Sequence, residues 1–241
     1  MINKLILQSF IDKYYLNGTN SQAKWRIKDN SLTVYAGRMG RVCKIVLDKF
    51  DFENSELGVF DTQKLNKLIS ITQGDLVISP VKGRSDNIIK LAISDLNFDL
   101  TYSLADLIVM DKVSYYKDPD EYEVEIELNP EDIMNLVKAK NALQDEDNMV
   151  INTIEDENHE YVCEVLFGDN SGFSNKISYK LLGNIKDVNI SLPFNSYVFK
   201  EILSSNKDMN GGTLKISKLG MMKLNFEKEG MSSEYFITRS E

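Results

Sequence analysis

Cysteine, histidine and proline are scarce in this chain, and their scarcity excludes several kinds of site. Its 241 residues include two cysteines, one histidine and four prolines. Cys43 and Cys163 are too few for a disulfide framework and too far apart for a paired-thiol zinc motif, so we expect a reducing compartment. The single histidine, His159, lies in an acidic segment typical of a hairpin turn, with neither a second zinc ligand nor a nucleophile elbow to serve. We therefore expect no cofactor, no metal and no enzymatic activity.

Long hydrophobic runs and an excess of positive charge are also missing. No stretch approaches the roughly 18 apolar residues of a membrane-spanning helix, and the N-terminal segment has no signal-peptide pattern. We therefore expect a cytoplasmic protein with no membrane partner. The 28 basic and 37 acidic residues give a net charge of −9 and a pI near 4.8. These values exclude a broadly basic surface that coats nucleic acid, although they leave room for a local basic stripe.

Alternation of apolar and polar residues with a period of two fills most of the chain. This alternation predicts β-strands, because successive side chains of a strand point to opposite faces of a sheet. The predicted strands cover residues 32–35, 42–47, 88–93, 98–102, 122–128, 149–153, 161–167, 176–182, 213–218, 222–226 and 234–238.

Four segments have helical periodicity instead: residues 3–16, 62–71, 130–143 and 196–205. In the first, Ile6, Leu7, Phe10 and Tyr14 share a predicted apolar face. The last three begin alike. Asp61, Asn129 and Asn195 are candidate N-caps, each preceded by an apolar residue and followed four positions later by another, the pattern of a hydrophobic staple. The helices recur about every 60 to 70 residues, which indicates a repeat of architecture rather than of residue identity.

Lysines outnumber acidic residues on these predicted helices, although the chain as a whole is acidic. On one helix alone, lysines would be explained by solubility. Their presence on all four favours exposed helix faces that meet a polyanion. The lysines concerned are Lys4, Lys13, Lys64, Lys67, Lys138, Lys140, Lys200 and Lys207.

Three segments resemble a known family, the DNA sliding clamps of myovirus-type tailed bacteriophages. Residues 58–70 (GVFDTQKLNKLIS) and 74–79 (GDLVIS) are similar to the strand, helix and strand of that family's first domain. Residues 126–137 (IELNPEDIMNLV) resemble the entry helix of its second domain, and residues 226–237 resemble its C-terminal hairpin. The resemblance covers nearly the whole chain in pattern, order and length, and is weakest over residues 17–41.

The resemblance implies an α+β fold of two clamp-type domains, each with two helices packed on antiparallel sheets, similar to proliferating cell nuclear antigen. The predicted domains are residues 1–115 and 122–241, joined by a connector at 111–121. Two domains in this length imply a homotrimer that closes into a ring around duplex DNA without reading its sequence. Such a ring is loaded by a clamp loader and tethers a DNA polymerase during replication in the cytoplasm of the infected host.

The resemblance also implies two further surfaces. Family order places the subunit interface on two edge strands, carrying Asp99, Thr101, Ser103 and Ala105 on one and Lys176, Ser178 and Lys180 on the other. A groove for a partner's peptide is implied beside the connector and the C-terminal strand, with Tyr115, Tyr116, Tyr235 and Ile237 in its lining. Burial in an ordinary core is the alternative for each of these four.

Two other functions stay open at this stage. A non-enzymatic, β-rich structural or assembly protein of a virion would also carry helices that cap sheets, and its lysines would serve solubility alone. An enzyme with an unrecognised site is the second alternative, which the scarcity of histidine disfavours.

Overall fold

Strands make up most of the computed structural model, which describes residues 1–168, 175–186 and 189–240, and four α-helices interrupt them. The predicted α+β class is therefore confirmed. The chain divides into two compact units: unit 1 is Met1–Tyr115 with Glu229–Ser233, and unit 2 is Tyr116–Lys228 with Glu234–Glu241. None of the helices in the described residues is long and apolar enough to cross a membrane.

Unit 1 contains two helices and two four-stranded antiparallel arrays. Its elements are β1 (Ile2–Asn3), α1 (Lys4–Tyr15), β2 (Ala23–Lys28), β3 (Ser31–Arg38), β4 (Arg41–Leu47), β5 (Ser55–Val59), α2 (Thr62–Ser70), β6 (Asp75–Lys82), β7 (Ile88–Ser94) and β8 (Asp99–Ser103). The strand orders are β4-β3-β2-β5 and β1-β6-β7-β8.

Unit 2 repeats this plan. Its elements are β9 (Val124–Leu128), α3 (Pro130–Ala142), β10 (Asn148–Glu155), β11 (Tyr161–Gly168), β12 (Lys176–Leu181), β13 (Asn184–Ile185), β14 (Ser191–Asn195), α4 (Ser196–Ser205), β15 (Gly212–Ser217), β16 (Met221–Lys228) and β17 (Met231–Thr238). The strand orders are β12-β11-β10-β14 and β13-β9-β15-β16-β17.

All four predicted helices are confirmed, and the three proposed N-caps bind the backbone as expected. The side chain of Asp61 accepts a hydrogen bond from the Lys64 amide at 2.8 Å, and that of Asn195 accepts one from the Val198 amide at 2.8 Å. Asn129 accepts from the amides of Glu131 and Asp132, and the Asp132 carboxylate accepts from the Asn129 amide, which completes a capping box. Each bond satisfies an amide that the first helical turn leaves unpaired.

Two details of the helix predictions are wrong. Ile6 is 46% exposed, and the buried face of α1 uses Ile11 together with Leu7, Phe10 and Tyr14. The hydrophobic staple at the start of α2 is absent as well, because Phe60 is 55% exposed while Leu65 is fully buried.

Every strand predicted from alternation is present, with ends that differ by a few residues. The alternation missed six short or irregular strands, of which two overlap the segments identified by resemblance. The missed strands are β1, β2, β5, β6, β13 and β14.

Each unit has its own aromatic core. In unit 1 the ring of Trp25 meets those of Phe10 and Phe50 edge to face, at centroid distances of 6.0 and 6.2 Å, and its indole nitrogen donates to the Tyr14 hydroxyl at 3.2 Å. In unit 2 the rings of Phe226 and Tyr235 meet edge to face at 6.2 Å. Such pairs add geometric specificity to the apolar area that they bury.

Candidate nucleic-acid and subunit interfaces

The eight predicted lysines separate by what their ammonium groups contact. Lys64 and Lys67 on α2 and Lys138 on α3 are exposed, and so is Lys207, which follows the end of α4. Within the described ranges these four make no ion pair, so their positive charge is available to an anion at the surface.

Two of the eight do not lie on an exposed helix face, and for them that prediction is corrected. Lys13 is fully buried, and its Nζ donates to the Ser9 hydroxyl at 2.9 Å. Lys140 is 5% exposed, and its Nζ donates to the carbonyl oxygens of Leu143 and Gln144 at 2.9 and 2.8 Å. Lys140 therefore satisfies carbonyls at the end of α3, which an α-helix leaves unpaired.

The remaining two lysines are partly engaged. Nζ of Lys4 donates to the carbonyl oxygens of Ser70 and Thr72 at 2.7 and 2.5 Å, so this half-buried group caps the C-terminus of α2. Nζ of Lys200 lies 2.6 Å from a carboxylate oxygen of Glu201 and 5.8 Å from the Tyr197 ring centroid. Both retain charge near the surface, but each already has an internal partner.

The first predicted interface strand, β8, lies at the edge of its sheet. Residues of an antiparallel edge strand alternate between bonding the neighbouring strand and pointing their backbone groups outward. The Leu104 amide donates to the Ile89 carbonyl, which fixes the phase of this alternation. Because residues 99, 101 and 103 have the opposite phase, their N–H and C=O groups face away from the sheet.

Ala105 is different, and its placement on the free edge is corrected. Its amide donates to the Gly58 carbonyl at 2.9 Å, and the two residues form an isolated bridge beyond the end of β8. The free edge of β8 therefore ends at Ser103.

The second predicted interface strand, β12, is the edge of the other four-stranded sheet. The Thr153 amide donates to the Ile190 carbonyl, and the registers from β14 through β10 and β11 carry this phase to β12. By the same alternation, residues 177, 179 and 181 bond inward, whereas the backbone groups of Lys176, Ser178 and Lys180 point outward. All three are exposed.

The predicted partner groove is corrected in two of its four residues. Tyr235 and Ile237 are 1% and 2% exposed. The Tyr235 hydroxyl accepts a hydrogen bond from the Asn206 side chain at 2.9 Å, so this ring belongs to the core of unit 2. Tyr115 and Tyr116 are partly exposed, but their rings already pack against Tyr35 and Phe236 at 5.5 and 6.4 Å.

The sequence gave no indication of how the connector is anchored. Within unit 2, the Asp118 carboxylate accepts from Nζ of Lys223 at 2.8 and 2.9 Å and from the Tyr122 hydroxyl at 2.7 Å. Burial alone would raise the pKa of Asp118, but these hydrogen bonds and the charges of Lys223 and Lys215 outweigh it, so its pKa is lowered. Burial likewise opposes the charge of Lys223, and its bonds to carboxylates nevertheless raise its pKa.

The two largest described cavities have no nucleophile or metal site. One, of about 440 Å³, lies in unit 2 beside Asn129 and Gly211, and the other, of about 630 Å³, lies in unit 1 beside Lys82 and Asp106. Neither lining contains histidine or cysteine. Burial raises the pKa of both free thiols to about 12, so neither is a thiolate at neutral pH. No cluster of metal-ligating side chains occurs among residues 1–168, 175–186 and 189–240.

Comparison with known proteins identifies the fold. No family model matches the sequence, and no curated protein matches it. Among solved structures, the proliferating cellular nuclear antigen of Entamoeba histolytica is similar with a TM-score of 0.73 at 13% identity, over 99% of this chain and 96% of that chain. At this identity the likeness extends to the fold alone. The chain therefore has a sliding-clamp-like α+β fold.

Proposed function

We propose that this chain is the subunit of a DNA sliding clamp, a homotrimeric ring that encircles duplex DNA and tethers a replicative DNA polymerase. The observation that carries the proposal is the fold likeness to a proliferating cellular nuclear antigen over 99% of the chain. The segments that resemble the clamps of myovirus-type tailed bacteriophages extend it to a phage origin and action in the cytoplasm of the infected host. In this proposal the domains are residues 1–115 and 122–241, joined by the connector at 111–121.

The exposed lysines support a sequence-independent contact with DNA. Lys64, Lys67, Lys138 and Lys207 lie on or beside helices and have no internal acidic partner in the described ranges. Flexible ammonium groups neutralise phosphates as point charges and fix no register, which suits a protein that slides. Because a closed ring holds DNA by topology, each contact can be weak.

The two free edges support assembly between copies. The β8 edge carries Asp99 at its start, and the β12 edge carries Lys176 and Lys180. An exposed edge with unpaired backbone groups is a liability that pairing removes. Two different edges on one chain give a head-to-tail contact, and such contacts generate a ring when the rotation closes.

No chemical step is proposed for this chain. Its role is to keep the polymerase at the primer end, so a clamp loader and a polymerase are the expected protein partners. The exposed parts of Tyr115 and Tyr116 are the candidate contacts for a partner's peptide, since Tyr235 and Ile237 are buried.

Two measurements test the function. Light scattering after size exclusion should give about three times the chain mass of 27.5 kDa. The protein should also remain on a closed circular duplex at salt concentrations that remove ordinary DNA-binding proteins, and should leave when the circle is linearised, because its hold is topological. A monomer, or equal retention on circular and linear DNA, would contradict the proposal.

A further inference from the structure

Lys223 on β16 is a nearly buried cation with three partners, and one of them lies in the connector. It is 9% exposed. Its Nζ contacts both carboxylate oxygens of Asp118, lies 2.6 Å from Oε2 of Glu234 and stands 4.9 Å from the ring centroid of Phe236. A buried ammonium group is costly unless it is paired and hydrogen-bonded, so these contacts determine whether the charge is tolerated at this position.

The neighbouring charges explain why a connector carboxylate is needed. In the register between β15 and β16, Lys223 lies directly opposite Lys215, and like charges in that position repel each other. Lys215 pairs with Glu125 on its other side at 3.1 Å, and Glu234 pairs with Lys223. Asp118 adds a further carboxylate that lies against both lysines, since their charges together lower its pKa.

The same stretch of connector has further attachments around this point. The Tyr116 ring packs on the Phe236 ring, the Tyr122 hydroxyl donates to Asp118, and Lys186 pairs with Glu121 at 3.3 Å. Residues 111–123 belong to no helix or strand. Side-chain contacts therefore replace a backbone ladder in holding this segment, and the pair between Lys223 and Asp118 is the most buried polar contact among them.

We propose that Lys223 is a positioning residue that holds the connector as a strap across β16 and β17, with Tyr116 fixed over Phe236. The strap is thereby ordered before any partner arrives. Its relevance to partner docking depends on the clamp function proposed above, whereas the strap itself does not. A partner that docks on an ordered segment does not bear the entropic cost of ordering it.

Hydrogen–deuterium exchange of the full chain tests the strap. Lys223→Met removes the ammonium group and keeps an unbranched apolar side chain, whereas Asp118→Asn removes the carboxylate charge from the connector side and leaves the sheet intact. Both should accelerate exchange of the amides at 112–121 by about tenfold or more, because the opening free energy of that segment falls. Lys223→Arg should restore slow exchange, since it keeps the charge and the hydrogen bonds.

Lys218→Met is the matched control, because Lys218 is an exposed lysine of unit 2 that pairs with Glu123 and not with the connector's Asp118. It should leave exchange at 112–121 unchanged. Unchanged connector exchange in Asp118→Asn would overturn the proposal, as would an equal acceleration throughout β15–β17, which would indicate global destabilisation. Oligomeric state measured on the same samples separates the two proposals: a monomeric wild-type chain contradicts the clamp and leaves the exchange result standing.

Discussion

Nζ of Lys200 lies 2.6 Å from Oε1 of Glu201, a side chain that is only 4% exposed. A lysine on a helix is thus partly neutralised by its own neighbour before any DNA approaches. The exposed Lys64 of α2 has no such partner within the described ranges, although the sequence offers both residues as equivalent basic positions. The two lysines should therefore differ in what they contribute to DNA binding.

Salt dependence of DNA binding measures that difference. Replacing Lys64, Lys67 or Lys138 by Gln should each lower the slope of log K against log salt by up to about one unit for a lost phosphate contact. Lys200→Gln should lower it by less, because Glu201 already holds its charge. Equal slopes for Lys64→Gln, Lys138→Gln and the wild type would contradict a role of these lysines at DNA.

Lys140 and Lys4 are expected to affect stability. Lys140→Met removes the donor to two carbonyls at the end of α3, and Lys4→Met does the same at the end of α2. Each should lower the free energy of unfolding by about 1–2 kcal/mol, the typical cost of unsatisfied buried polar groups. Urea denaturation measures this, and the exposed Lys138→Met should change the value by no more than about 0.5 kcal/mol. A stability unchanged in Lys140→Met would show that its ammonium group caps nothing.

The free edges of β8 and β12 predict which prolines separate the subunits. Thr101→Pro and Ser178→Pro each remove an amide that points outward, so each should give folded monomers in light scattering. Thr101→Val keeps the amide and should remain a trimer. Tyr179 is the wrong position for this test, because its amide bonds inward to β11 and a proline there would damage the sheet. Intact trimers in both proline variants would place the interface elsewhere.

Acid should weaken the contact between the connector and β16. The lowered pKa of Asp118 means that its contribution to stability is complete above the ordinary aspartate value of about 4 and is lost as the pH falls through the folded-state value. The free energy of unfolding of the wild type should thus fall more steeply below about pH 4 than that of Asp118→Asn. Urea titrations between pH 2.5 and 7 measure both curves, and identical curves would contradict the assignment.

The helices were predictable because their starts are encoded locally. Asp61, Asn129 and Asn195 each bind amides two or three residues further on, so a short stretch of sequence contains the whole determinant. The strand β14 was missed for a comparably local reason: Pro193 interrupts it, and proline is confined to edge strands, which is where β14 lies.

The roles of individual lysines were not predictable to the same degree. Lys13 and Lys140 have the same side chain as Lys64 and stand at ordinary helical positions, but their flexible stems turn the ammonium group inward to Ser9 or to carbonyls at a helix end. Periodicity gives the direction of Cβ and not the destination of a group four bonds further on. For the same reason no pattern indicated that Asp118 would find Lys223, 105 residues away.

The two unlike edges have a consequence for mixed populations of chains. A subunit that carries Thr101→Pro loses one edge and keeps the other, so it can still recruit a normal neighbour and then stops the next addition. If the ring needs three sound chains, the fraction of intact rings falls as the third power of the fraction of sound chains. A defect at one edge should therefore be dominant over the wild-type chain, whereas a defect confined to one exposed lysine should be diluted by its neighbours.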